Sequence, residues 1–120
     1  MKILICDDSM MIRRQLKNMI LNLGDYEVCE ASNGEIAIET YKEEKPNLVY
    51  MDIIMPKLDG VGAVDKIIKF DPKAQIVMLS SVGTKENLSK AIKVGAVDFI
   101  QKPVEEEVLK NTINKFSKGV

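Results

Sequence analysis

Five short runs of apolar residues, each ending on a polar or charged one, alternate along the chain with five longer stretches of mixed character. The clearest run is Leu48-Val49-Tyr50-Met51, set between Pro46 and Pro56 and closed by Asp52. Four consecutive apolar residues are too few for a helix and fit a strand buried on both faces. The same pattern predicts strands over 2–6, about 26–31, 75–79 and 97–101.

The intervening stretches predict helices. From Ser9, a candidate N-cap, to Leu23, residues Met11, Ile12, Leu16, Met19, Ile20 and Leu23 are spaced for one apolar face, and Gly24 is a stop signal. Ser32-Asn33-Gly34-Glu35 reads as a turn and capping box opening a second helix that ends before Pro46. Gly60 leads a third, about 61–70, which Asp71-Pro72 terminates. After a Gly83-Thr84 turn, a fourth runs over about 85–94 to Gly95. A fifth, about 104–117, carries Glu105, Glu106 and Glu107 in its first turn and Lys115 and Lys118 at its end, matching the helix dipole. Strict alternation of strand and helix implies a parallel sheet with helices on both faces, because each crossover helix must cover the sheet it leaves. The expected fold is a doubly wound α/β sandwich.

A chain of 120 residues is one ordinary domain, expected to span 1–120. With 46% hydrophobic and 29% charged residues it belongs among globular chains rather than disordered ones. Its 17 basic and 18 acidic residues nearly cancel, so nothing draws it to nucleic acid or a membrane surface. The first apolar run turns acidic at Asp7-Asp8 too soon for a signal peptide, and no run reaches membrane-spanning length, which predicts a cytoplasmic protein. Cys6 and Cys29 fall inside predicted strands without C-x-x-C spacing and read as core filler, as do most of the seven methionines. Histidine is absent, which removes the commonest general base and any phosphohistidine carried in cis.

The chemistry gathers where the strands end. A carboxylate directly after a buried apolar run is costly unless it faces solvent, a cation or a donor. Asp52 either caps the next loop or lines the crevice at the carboxyl ends of the strands, where ligands bind in open α/β sheets. The other strands end alike: Asp7 and Asp8 after the first, Ser80 after the fourth, Lys102 after the fifth. With the first and third strands adjacent, three carboxylates converge, and such anions raise one another's pKa unless a cation is shared among them. Oxygen-only ligands with room for water favour Mg²⁺, or Mn²⁺, over zinc. A hydroxyl and an ammonium flanking an acid suit the oxygens of a phosphoryl group in transfer, with Asp52 as the nucleophile that forms an acyl phosphate.

These residues resemble the receiver domains of two-component response regulators. The likeness rests on Asp7-Asp8, on Asp52 with Met55-Pro56 and Asp59-Gly60 behind it, on Ser80, and on Lys102-Pro103 after Asp98-Phe99-Ile100. The intervals of 28 residues from Asp52 to Ser80 and 22 from Ser80 to Lys102 also fit, and the likeness covers the whole chain. It implies the CheY-like, flavodoxin-like (βα)5 fold, a five-stranded parallel sheet in strand order 2-1-3-4-5. It implies that Asp52 accepts phosphoryl from a phosphohistidine on a sensor kinase or from a small donor such as acetyl phosphate. Asp7 and Asp8 would hold Mg²⁺, Asp8 most directly, with Asp52 and the backbone carbonyl of Ile54 as further ligands. Ser80 and Lys102 would bind the phosphoryl oxygens and report to the face of helix four, strand five and helix five. Phe99 fits the family's aromatic switch position, although a core aromatic would read the same way, and Lys102-Pro103 fits its cis peptide.

Within the family the residues two after Asp52 and two after Ser80 tune acyl-phosphate hydrolysis. Here they are Ile54 and Val82, apolar and branched, which cannot orient an attacking water and predict a long-lived phosphoryl group. No output domain is expected after the fifth helix, so the chain resembles the single-domain chemotaxis regulators, monomers that dock on the flagellar motor switch. A phosphorelay intermediate, or a receiver cut from a larger regulator, would look the same. Such a domain assists its own phosphorylation and dephosphorylation without being an enzyme in the turnover sense. A flavodoxin-like redox carrier lacks support because Asp7-Asp8-Ser9-Met10 is no phosphate cradle, and no P-loop motif occurs. An aspartyl-nucleophile phosphatase would resemble D-x-D, where this chain has Ile54 two after Asp52.

Overall fold

A computed structural model describes residues 1–55, 57–81 and 85–117 of the chain. Pro56, Val82, the Gly83-Thr84 turn and Lys118 lie outside the described residues. Five strands, β1 Lys2–Cys6, β2 Glu27–Ala31, β3 Leu48–Asp52, β4 Ile76–Ser80 and β5 Asp98–Gln101, alternate with five helices. The helices are α1 Met10–Leu23, α2 Gly34–Glu44, α3 Gly60–Phe70, α4 Lys85–Val94 and α5 Glu106–Phe116. The sheet is parallel throughout, in the expected order β2-β1-β3-β4-β5.

Side chains alternate across this sheet and build two cores. Leu4, Cys6, Val49, Met51, Ile76 and Met78 face one way, packing with Ala37, Tyr41, Ala63, Ile67 and Ala91 of α2, α3 and α4. Ile3, Ile5, Leu48, Tyr50, Val77, Leu79 and Ile100 face the other, packing with Leu16 and Ile20 of α1 and Leu109 and Ile113 of α5. All five residues of β3 are buried, as are all five of β4, which is what unbroken apolar runs require. Among the described residues no helix is long and apolar enough to cross a membrane.

The element boundaries differ from the sequence reading at several ends. Ser9 does cap α1, accepting from the Ile12 amide at 3.3 Å. Met11, however, is 70% exposed, because α1 turns only the row containing Leu16 and Ile20 fully into the core. Helix α2 is capped by Asn33 rather than Ser32: its side chain accepts from the Ile36 amide at 2.9 Å. Gly60 is the first residue of α3, because Asp59 takes the cap and accepts from Gly62 at 2.8 Å. Helix α5 starts at Glu106, so Glu105 is its cap position rather than part of its first turn. Ser80 belongs to β4 as its last residue, and Tyr26, Gln75 and Val97 fall just outside their strands. Cys6 is fully buried and Cys29 half-buried, both free thiols. Of the methionines, Met51, Met55 and Met78 are core residues, whereas Met10 and Met11 are exposed.

Candidate functional site

Strand register assembles the site. Cys6 pairs with Met51 across β1 and β3, so the next residues, Asp7 and Asp52, leave neighbouring strands side by side. Asp52 pairs with Leu79, placing Ser80 one step further along β4. Ser80 pairs with Gln101, and the following residue, Lys102, donates its backbone N–H to the Ser80 carbonyl at 2.8 Å. Each strand thus delivers its polar residue to the same carboxyl edge.

One oxygen from each of Asp7, Asp8 and Asp52 lies within 4.8 Å of the other two. Asp7 and Asp52 are almost wholly covered, at 1% and 7% exposed, while Asp8 is open to solvent. The Lys102 ammonium sits between the two buried acids, 2.7 Å from Asp7 Oδ2 and 3.3 Å from Asp52 Oδ1. It is a cation shared by the two buried carboxylates of the cluster. Burial raises the Asp52 carboxyl above its ordinary pKa and the charge of Asp7 adds to this, with Lys102 pulling the other way. Burial alone would lower the Lys102 ammonium, but its hydrogen bond to Asp7 and the charge of Asp52 outweigh that and raise it.

Asp7 is fixed at every polar atom. Its amide donates to the Ala31 carbonyl at 3.1 Å and its Oδ1 accepts from the Ser9 amide at 2.9 Å. Its carbonyl accepts from Arg13 Nη1 at 2.7 Å, and Arg13 Nε donates to Glu30 Oε1 at 3.1 Å. Arg13 was no candidate on sequence grounds, although a signal was present. It falls on the same helical row as Leu16 and Ile20, where an arginine must find partners.

The loop behind Asp52 is held against its strand. The Gly60 amide donates to the Ile53 carbonyl at 2.7 Å, and a Cβ on Gly60 would lie 2.1 Å from the Asp52 carbonyl oxygen, so only glycine fits. Ile54 stands outward from this loop, 62% exposed, its carbonyl belonging to the same turn. Val82, the second expected flanking residue, lies outside the described residues. Ser80 is 2% exposed and in strand parity with Ile76 and Met78. Phe99 pairs with Met78 and packs, partly buried, against that same core. The Lys102-Pro103 peptide is cis.

A donor set of three carboxylates fits a hard divalent cation that keeps several waters. Zinc would favour nitrogen or sulfur donors, which the site lacks.

The profile of the response regulator receiver domain family matches residues 3–114. The chemotaxis protein CheY of Thermotoga maritima is 45% identical over 118 residues, covering 98% of each chain. That of Bacillus subtilis is 42% identical over 95% of each. The probable C4-dicarboxylate response regulator DctR of Bacillus subtilis is 34% identical over 96% of this chain but only 51% of its own length. Among solved structures, a chain of the CheX-CheY-BeF3-Mg²⁺ complex from Borrelia burgdorferi superposes with a TM-score of 0.89 at 32% identity, over 96% of this chain and 88% of that one. Receiver domains of this type are signalling proteins and bind Mg²⁺ in an acidic pocket, and this chain carries an acidic cluster of Asp7, Asp8 and Asp52. Profile, relatives and fold agree that the chain belongs to the response regulator receiver domain family, as a CheY-like member of a two-component system.

Proposed function

We propose that the chain is a phosphorylation-activated switch in which Asp52 accepts a phosphoryl group from a phosphohistidine of a sensor kinase. The observation that carries this reading is the convergence of Asp7, Asp8, Asp52 and Lys102 at one strand edge. In the transfer, an Asp52 carboxylate oxygen forms the new O–P bond as the N–P bond breaks, and the imidazole nitrogen keeps the electron pair. Asp7, Asp8, Asp52 and the Ile54 carbonyl would hold Mg²⁺ or Mn²⁺, which when bound neutralises charge on the phosphoryl oxygens. Lys102, already 3.3 Å from Asp52, pairs one phosphoryl oxygen, and the Ser80 hydroxyl donates to another.

Activation is then a population shift. The phosphoryl group stabilises the arrangement in which Ser80 and Lys102 engage it, with Phe99 following, and the α4–β5–α5 face gains affinity for a protein target. The full-length likeness to chemotaxis CheY proteins supports a cytoplasmic, stand-alone monomer that receives phosphoryl from a CheA-like kinase and docks on the flagellar motor switch. The Borrelia CheY complex, with BeF3 and Mg²⁺, supports the same site chemistry. The half-length match to DctR supports a second reading, a receiver that forms part of a larger regulator.

The test is intact-protein mass after incubation with acetyl phosphate, with and without Mg²⁺, on wild type and Asp52→Asn. One phosphoryl adduct, present only with metal and lost in the variant, is expected. An unmodified wild type with magnesium bound, or an adduct that survives Asp52→Asn, contradicts the reading.

A further inference from the structure

Arg13 is an arginine on the buried side of α1, and its side chain keeps only 14% of its surface exposed. A guanidinium that covered must be paired. It is paired across two elements: Nη1 donates to the Asp7 carbonyl at 2.7 Å, and Nε to Glu30 of β2 at 3.1 Å. The Asp7 carbonyl belongs to the peptide unit joining Asp7 to Asp8. That plane is the last link before the Asp8 side chain, the one exposed acid of the cluster and the one with fewest restraints of its own. On its other side Asp7 is tied to β2 through Ala31. Arg13 therefore closes a clamp in which β2 and α1 together fix the orientation of the Asp7–Asp8 peptide.

We propose that Arg13 is a positioning residue for the divalent-cation site: by fixing the Asp7–Asp8 peptide plane it sets the direction in which the Asp8 carboxylate leaves the loop, so that the three acids are preassembled. The inference rests on reading the acid cluster as a metal site. Groups that orient metal ligands in this way govern affinity without touching the ion.

Electrostatics and positioning predict opposite signs here. Removing the Arg13 charge leaves Glu30 without its closest cation and makes the neighbourhood more negative, which by charge alone tightens binding of a divalent cation. Loss of the clamp loosens the Asp8 carboxylate and weakens binding. Arg13→Lys separates the two effects again, since it keeps the charge but its ammonium cannot reproduce the guanidinium fork that bridges both acceptors.

The experiment is a Mg²⁺ titration of the full chain, followed by amide shifts in the β1–α1 loop, for wild type, Arg13→Met, Arg13→Lys and the exposed neighbour Arg14→Met. Arg13→Met is expected to lose about 10-fold in affinity, Arg13→Lys a smaller part of that, and Arg14→Met nothing. Unchanged or tighter binding in a folded Arg13→Met protein overturns the proposal. If Arg13→Met fails to fold, Arg13→Lys decides, and wild-type affinity in that variant overturns it. A wild type with no saturable magnesium response overturns the metal reading and this inference with it, an outcome distinct from variants that bind as well as wild type.

Discussion

The phenolic hydroxyl of Tyr50 meets Thr112 Oγ1 at 2.7 Å, joining the middle of β3 to α5 through the interior. Thr112 spends its own hydrogen on the Leu109 carbonyl at 2.9 Å, so Tyr50 is the donor. Tyr50 is fully buried and Thr112 is 6% exposed, which makes the two substitutions unequal. Tyr50→Phe removes a donor and leaves Thr112 bonded to Leu109, at a cost of about 1 kcal/mol. Thr112→Val strands the phenol without an acceptor and costs up to about 3 kcal/mol. The double variant recovers part of that loss. Urea denaturation of the four proteins measures the cycle, and equal costs for the two single variants would contradict the donor assignment.

Asp52 is held above its ordinary value of 3.8, by burial first and by Asp7 second. The folded chain binds that proton more tightly than the unfolded one. The resulting stabilisation is complete below about pH 3.8 and is lost as pH rises through the raised folded value, so at pH 7 ionised Asp52 costs stability. In chelator, Asp52→Asn is expected to melt higher than wild type at pH 7, by roughly 2–6 °C for about 1 kcal/mol. The gap should narrow on acidification. Calorimetry at pH 7 and pH 4 checks both statements.

Lys102 carries the opposite contribution. Its pKa is raised above 10.5, so the stability it brings is intact at pH 7 and disappears only in strong alkali. Lys102→Met leaves Asp7 and Asp52 facing each other without their cation. A loss of about 2 kcal/mol is expected in chelator, less than for a fully buried pair because Lys102 still reaches solvent. Added Mg²⁺ should return part of it. A melting curve that does not respond to the metal would count against the shared-cation account.

Two glycines on α3 give a contrast in tolerance. At Gly60 a new methyl would strike the Asp52 carbonyl oxygen at 2.1 Å, and backbone cannot step aside. At Gly62 it would meet the end of the Leu58 side chain at 2.8 Å, which can rotate. Gly60→Ala should cost about 3 kcal/mol or more, whereas Gly62→Ala should lie near wild type, with helix propensity offsetting the contact. Thermal melts of the two proteins compare them directly.

Under the proposed chemistry, the exposed side chain of Ile54 hinders water at the phosphoryl group. Replacing it and Val82 by residues that can orient water, Ile54→Asn with Val82→Glu, should speed dephosphorylation about 10-fold or more. Loss of the mass adduct over time supplies the rates; an unchanged or slower rate would contradict the role assigned to these two residues.

Apolar runs ended by polar or charged residues made the strands legible, and strand ends alone pointed to Asp7, Asp8, Asp52, Ser80 and Lys102. Their convergence needs only the register, in which Cys6 lies beside Met51 and Asp52 beside Leu79. Helix faces were harder to read. Met11 matches the apolar spacing of α1 yet points to solvent, because methionine fits either environment and periodicity does not say where the sheet ends. The cap of α2 went to Asn33 over Ser32 because two adjacent residues could each serve and backbone geometry chose between them. Arg13 with Glu30, and Tyr50 with Thr112, join residues 17 and 62 positions apart, and no local pattern announces such pairs.

With Lys102 lodged between Asp7 and Asp52, the fold supplies its own counter-ion and does not wait for a metal to be complete. Structural zinc domains behave in the opposite way, remaining unfolded until loaded. Under the proposed metal reading, the ion would be a reagent taken up and surrendered while the scaffold stays standing. Its occupancy would then follow the concentration of free ion around the protein at each moment, and not the conditions under which the chain was made.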